Sequence, residues 1–140
     1  MHAPRRVIML FVFLCIAFVL LAEIAPEEYR NMQLGAPDVV DIRVLKVKTS
    51  RPLFSRNITV QINAQVIGVE RSLSNLTEGD RITILYEHYK MPKRGWAGPR
   101  PIPILRKGEE SIAFIRFDQE ASAYVPAARG ASFDPLIPLI

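Results

Sequence analysis

The strongest pattern in this chain is the alternation of apolar and polar residues over 57–71 (NITVQINAQVIGVER). A period of two predicts a β-strand with one buried side and one solvated side. The phase changes around Gly68, where Ile67 and Val69 become the apolar positions. A change of phase at a glycine predicts a bulged, strongly bent strand of the kind that closes small barrels. The apolar positions before the change are Ile58, Val60, Ile62, Ala64 and Val66.

Four other segments also have strand character. In the first of them, Asp38–Lys48, the phase changes after Val44. This strand and the long strand are therefore expected to form a coiled antiparallel hairpin. Arg100–Leu105 alternates proline with isoleucine, which predicts either an edge strand or an extended run, because proline cannot donate to a ladder. Together they predict an all-β fold, a small OB-like closed barrel of five to six strands. The four segments are Asp38–Lys48, Arg81–Tyr89, Ser111–Asp118 and Ala123–Ala127.

A short helix is expected before the barrel and an apolar tail after it. Pro26–Leu34 begins with a proline and two acidic residues, which suit a first helical turn, and Gly35 is suited to end the helix. The tail is almost wholly apolar at its end and is expected to pack along the domain or to contact a partner. The predicted division is 1–25 for a signal or anchor, 26–37 for the helix and linker, 38–128 for the barrel and 129–140 for the tail.

Apolar residues in two connections are expected to cover the ends of the barrel. Leu53 and Phe54 lie in the loop of the first hairpin, and Leu73 and Leu76 follow the long strand. Packing onto the barrel ends would remove these four side chains from water.

The first residues of the chain have the plan of a secretory signal. Arg5 and Arg6 precede the uncharged apolar run Val7–Ala22. The run is slightly short for a membrane span, which favours a cleaved signal over an uncleaved N-terminal transmembrane anchor. In either case the remainder is exported. The only cysteine, Cys15, lies inside this run, so the mature domain has no disulfide, which favours a bacterial periplasm or the periplasmic face of the inner membrane.

Charge adds little once this segment is set aside. The whole chain has 18 basic and 14 acidic residues and a net charge of +4. Without Arg5 and Arg6, 16 basic residues face 14 acidic ones, a net charge of +2. The predicted domain is therefore only mildly cationic, and a function that depends on positive charge must use a local cluster.

The order of these parts resembles that of the tissue-inhibitor-of-metalloproteinase and netrin-like domains. The matching pieces are the opening strand at Ala36–Val40, the long strand Thr59–Val69, a GDxIxI piece in Glu78–Ile84 and a GExxxxFI piece in Gly108–Ile115. The resemblance implies an OB-type five-stranded barrel. Inhibitors in that family use an N-terminal cysteine to chelate the zinc of the target, together with disulfides, and this chain has neither. No site residue of the family is therefore carried over to this sequence.

Catalytic and metal-binding patterns are absent from the sequence. His88 is the only histidine after the apolar run, and it has no cysteine or carboxylate partner at metal-ligand spacing. There is no Gly-x-Ser-x-Gly elbow and no phosphate-binding glycine loop. We therefore expect a protein that is not an enzyme and has no cofactor. A hydrolase centred on His88 is the weakest alternative.

The segment His88–Lys107 is distinctive because it has many cations and no acidic residue. Cations interleaved with aromatic residues predict contact with an anionic partner: an anionic lipid, a glycan or an acidic protein surface. Export makes nucleic acid an unlikely partner. The simpler alternative is a solvated loop with Trp96 folded back over the barrel. The candidate ligand-binding residues are Lys90, Lys93, Arg94, Trp96, Arg100, Arg106 and Lys107.

A second surface suggests a protein–protein adaptor. The predicted edge Arg100–Leu105 and the apolar residues Leu136–Ile140 would together offer strand addition and an apolar contact. The prolines of the edge oppose such pairing, so a protected edge is an equally good interpretation.

Overall fold

The computed structural model describes residues 24–92 and 98–139. Five strands close into one barrel in the order β1-β2-β3-β5-β4, and only the β3–β5 pair is parallel. This confirms the predicted OB-like closed barrel, with five strands. The elements are α1 (Pro26–Gly35), β1 (Asp38–Ser50), β2 (Asn57–Ser72), β3 (Arg81–Tyr89), β4 (Glu110–Asp118), β5 (Ala123–Pro126) and a 3-10 turn (Arg129–Ala131).

The predicted signal or anchor segment lies outside the described residues. Among residues 24–92 and 98–139, no helix has the length and apolar character needed to cross a membrane.

Both predicted changes of phase coincide with bulges between β1 and β2. On β2 the extra residue is Ile67, and on β1 it is Leu45, where the register of the two strands shifts. Gly68 lies where β2 passes close to β1, and a Cβ atom there would come within 3.0 Å of the Asp41 carboxylate. Each bulge is expected to turn the apolar residues beyond it toward the core. On β1 this is observed, because Val47 packs against the core. On β2 it is not, because Val69 stays exposed.

The barrel interior is filled by apolar side chains from all five strands, including Ile42, Ile62 and Ile84. β4 is buried on both sides, as its apolar sequence predicts: Ala113 and Ile115 point into the barrel. Phe114, on the other side of β4, joins a second cluster, against which Met32 of α1 packs. That second cluster comprises Ala36, Val39, Phe114 and Ala128.

The segment Arg100–Leu105 belongs to no strand of the described chain, so the edge-strand alternative is wrong. It packs along β3 through side chains instead, because its prolines cannot complete a ladder. The Tyr86 hydroxyl donates to the carbonyl oxygen of Pro103 at 2.8 Å. The His88 Nδ1 atom lies 2.7 Å from the Ile102 carbonyl oxygen, and Leu105 is buried.

The C-terminal tail packs along the domain through Gln33 of α1, which is fully buried. Its amide nitrogen donates to the carbonyl of Ala131 at 2.9 Å, and also to those of Asp134 and Pro135. Its amide oxygen accepts from the Ile137 N–H at 2.9 Å. One amide side chain therefore contacts four backbone groups of the tail, with its two N–H donors shared among three carbonyls, and this supports one of the two expected fates of that segment.

Two expectations about the barrel ends are wrong. Leu53 and Phe54 are 89% and 105% exposed, because they are the central residues of a turn closed by the Ser55 N–H donating to the Pro52 carbonyl at 3.1 Å. Such a turn projects both side chains away from the strands.

Leu73 is 75% exposed, whereas Leu76 packs against the core as expected. The reason is the buried carboxylate of Asp38, which accepts from the hydroxyls of Ser72 and Ser74 and fixes the course of this turn.

Candidate functional site

Four of the seven candidate residues named from the sequence lie in the part of the chain that the structure describes. Lys93, Arg94 and Trp96 lie outside the described residues. The other four occupy three separate places. Lys90 follows β3, Arg100 lies beside α1 and the tail, and Arg106 and Lys107 lie in the turn before β4.

Arg100 has a structural role. Its guanidinium lies 2.7 Å from the Asp134 carboxylate and 5.5 Å from the centre of the Tyr29 ring. Its backbone N–H donates to the Tyr29 hydroxyl at 3.1 Å. A Cβ atom on Gly130 would come within 2.4 Å of the Arg100 carbonyl oxygen. Arg100 therefore joins α1, the tail and the barrel, and Asp134 already balances its charge.

Arg106 and Lys107 lie far from Lys90 along the barrel. The turn that carries them is tied to the middle of β1, where the Gly108 N–H donates to the Val44 carbonyl at 2.8 Å. Val44 precedes the end of β1 at Ser50 by six residues, or about 20 Å of strand. Lys90 lies near that far end, so these cations do not act together with it on a small ligand.

Lys90 lines an open groove of about 380 Å³ at the far end of the β1–β2 hairpin, together with two arginines. We call this the basic groove; its lining residues are Arg51, Ser55, Arg56, Lys90, Met91 and Pro92. Three basic side chains and no acidic side chain line it. The two contributing segments meet because Asn57 at the start of β2 lies opposite Tyr89 at the end of β3.

The part of the hairpin that carries the groove, residues 42–69, is free of acidic residues. No Asp or Glu occurs between Asp41 and Glu70. The nearest carboxylate on the adjoining strand is Glu87, which accepts a hydrogen bond from the Asn57 side chain at 3.2 Å. The groove therefore presents positive charge that its own lining does not neutralise.

Reasoning from the sequence missed Arg51 and Arg56. Both arginines lie in the loop that connects β1 to β2, more than thirty residues before Lys90 in the sequence. The absence of acidic residues from 42–69 is the sequence signal that could have indicated them.

His88 and Tyr86 have structural environments. A carbonyl oxygen can only accept, so the His88 Nδ1 atom carries the proton in its contact with Ile102. Tyr86 packs 5.8 Å from the Phe133 ring, and burial raises the pKa of its phenol well above the ordinary value. In residues 24–92 and 98–139, no group of three or more His, Cys, Asp or Glu side chains could hold a metal ion. The hydrolase alternative gains no catalytic partner for His88 from these contacts.

Comparison with known proteins found no matching family model, no similar curated protein and no similar solved structure.

Proposed function

We propose that this chain is an exported, non-catalytic binding module that holds an anionic partner in the basic groove. One observation carries the proposal: Arg51, Arg56 and Lys90, from two distant parts of the sequence, line one open groove, and none of the described residues that line it is acidic. Guanidinium groups match phosphate, sulfate and carboxylate groups bidentately, and an ammonium adds a mobile point charge. The ligand class is therefore polyanionic.

The predicted export supports an envelope component as the source of that anion. Phosphate groups of lipids and charged glycans carry this chemistry in a bacterial envelope. The netrin-like relationship stays a proposal, which the closed five-stranded barrel supports.

The adaptor alternative has weaker support. Two backbone carbonyls of the Arg100–Leu105 segment already accept hydrogen bonds from β3 side chains, and Leu105 is buried. A strand added by a partner would have to displace these contacts. Leu136 and Leu139 do remain exposed on the tail, so the tail still offers the apolar contact that the adaptor alternative requires.

Retention of the full-length chain on immobilised heparin, in a nonionic detergent, tests the proposal. The variant Arg51→Glu, Arg56→Glu, Lys90→Glu should elute at a clearly lower salt concentration than the wild type. A matched variant, Arg106→Glu, Lys107→Glu, Arg116→Glu, carries the same change of net charge on other exposed residues. It should elute close to the wild type.

Equal losses of retention in both variants would show a response to total charge and contradict the proposed groove. Circular dichroism and thermal unfolding should show that both variants remain folded. All six positions are exposed, so the substitutions remove no buried contact.

A further inference from the structure

The basic groove is adjacent to a fully exposed apolar tip. Arg51 and Arg56 flank the turn Pro52–Ser55, whose two central residues are Leu53 and Phe54. These are the most exposed large apolar side chains of the described chain, at 89% and 105%. Met91, which lines the groove itself, is also exposed.

Phe54 is also in an unfavourable backbone conformation. Its φ is +65°, in the left-handed region, which bulky side chains rarely adopt. Glycine or asparagine is the usual choice at the second central position of a turn that needs a positive φ. The fold thus carries both strain and an exposed aromatic ring at one position, and the ring gains no packing in return. Strain of this kind is typical of sites kept for binding.

We infer that this tip docks onto the surface of an anionic lipid bilayer. Leu53 and Phe54 enter the boundary between headgroups and acyl chains, while Arg51, Arg56 and Lys90 contact lipid phosphates. The inference rests on the proposed function and names the source of its anion. Apolar side chains ringed by cations are the combination that binds peripheral proteins to anionic membranes.

The exposed apolar tip beside the cations favours a bilayer over a soluble polyanion. The surface of an anionic leaflet attracts cations and offers an apolar phase directly beneath the phosphates, whereas a free polyanion offers nothing to Leu53 and Phe54. Lys46 and Lys48 add exposed cations within the same acid-free stretch, residues 42–69. In the anchor alternative, the apolar run Val7–Ala22 would also hold the chain at a membrane.

Fluorescence quenching by lipid-attached nitroxides tests the inference in the full-length chain. In a Cys15→Ser background, Phe54→Cys carries the apolar fluorophore NBD at the tip. The matched control is Leu73→Cys with the same label, which lies after β2 at the opposite end of the hairpin and is 75% exposed. Both proteins are reconstituted into vesicles of phosphatidylcholine and phosphatidylglycerol with nitroxide-labelled acyl chains.

We expect strong quenching at position 54 and little at position 73. Adding Arg51→Glu, Arg56→Glu and Lys90→Glu should remove most of the quenching at position 54. Quenching that persists after the charge reversal would overturn the role given to the three cations. Equal quenching at positions 54 and 73 would overturn docking by the tip.

Two further outcomes separate this inference from the proposed function. Absence of quenching at position 54, with heparin retention still lost on charge reversal, overturns bilayer docking and leaves the basic groove as an anion site. A blue shift of NBD emission without nitroxide quenching places the tip against protein, including a second copy of this chain, and also overturns bilayer docking.

Discussion

The turn at Phe54 predicts that removing an aromatic side chain will make this protein more stable. The substitution is Phe54→Gly. A left-handed backbone costs an L-residue about 1–2 kcal/mol, and glycine is free of that cost. Glycine loses roughly 0.5–1 kcal/mol more backbone entropy on folding. Because the Phe54 side chain is fully exposed, no packing is lost, and the net gain should be about 0.5–1 kcal/mol.

Thermal unfolding of the full-length chain in nonionic detergent measures this gain. For a domain of this size the midpoint should rise by about 2–4 °C. Leu53→Gly is the matched control, since it is in the same turn and is nearly as exposed, but is not among the residues with positive φ. There glycine brings only its entropic cost, so stability should fall by about 0.5–1 kcal/mol.

A fall in the unfolding midpoint of Phe54→Gly equal to that of Leu53→Gly would refute the reasoning. It would mean that the Phe54 ring contributes to the fold, and its retention would then need no binding partner.

Three further predictions concern the body of the fold. Gln33→Leu leaves buried backbone groups of the tail unpaired, and the free energy of unfolding in guanidinium should fall by about 3 kcal/mol. Gly130→Ala places a Cβ atom 2.4 Å from the Arg100 carbonyl and should destabilise the protein by about 2 kcal/mol, whereas Gly35→Ala, with nothing within 4 Å, should not. The raised pKa of Tyr86 keeps its phenol protonated in the folded state, whereas the phenol of the unfolded chain ionises near pH 10. The contribution of Tyr86 to stability is therefore intact below pH 10. Above pH 10 the free energy of unfolding should fall by about 1.4 kcal/mol per pH unit, until the folded phenol also ionises. In denaturant titrations between pH 8 and 11, Tyr86→Phe should lack this component of the fall, and an unchanged profile would contradict the assignment.

The sequence predicts the barrel well because its strands alternate clearly. β3 was predicted with the bounds that the structure shows, and β4 within one residue. Two of the three register shifts between β1 and β2 were visible as changes of phase, because an extra residue exchanges the inward and outward positions. The third, at Glu70, was not predicted.

The basic groove could not be predicted in the same way. It exists because the ladder places Asn57 opposite Tyr89, which brings the loop before β2 next to Lys90. Local sequence does not contain that pairing. The exposure of Phe54 was missed for a related reason, since hydropathy predicts burial but the turn geometry decides where the side chain points.

Gln33 shows a third limit of local sequence. In the sequence it is an ordinary polar residue of a helix. Because the tail passes beside it, Gln33 makes more hydrogen bonds between α1 and the C-terminal segment than any other side chain of the described chain. Its burial depends on contacts about a hundred residues away in the chain.

Lysine footprinting tests most directly whether the basic groove holds a polyanion, because it measures the protection of each lysine without a substitution. The full-length chain in nonionic detergent is acetylated with and without heparin, and the modification of each lysine is measured by mass spectrometry. We expect heparin to lower the reactivity of Lys90 several-fold and to leave that of Lys107, on the turn before β4, nearly unchanged. Protection of Lys107 equal to that of Lys90, or an unprotected Lys90, would contradict this expectation.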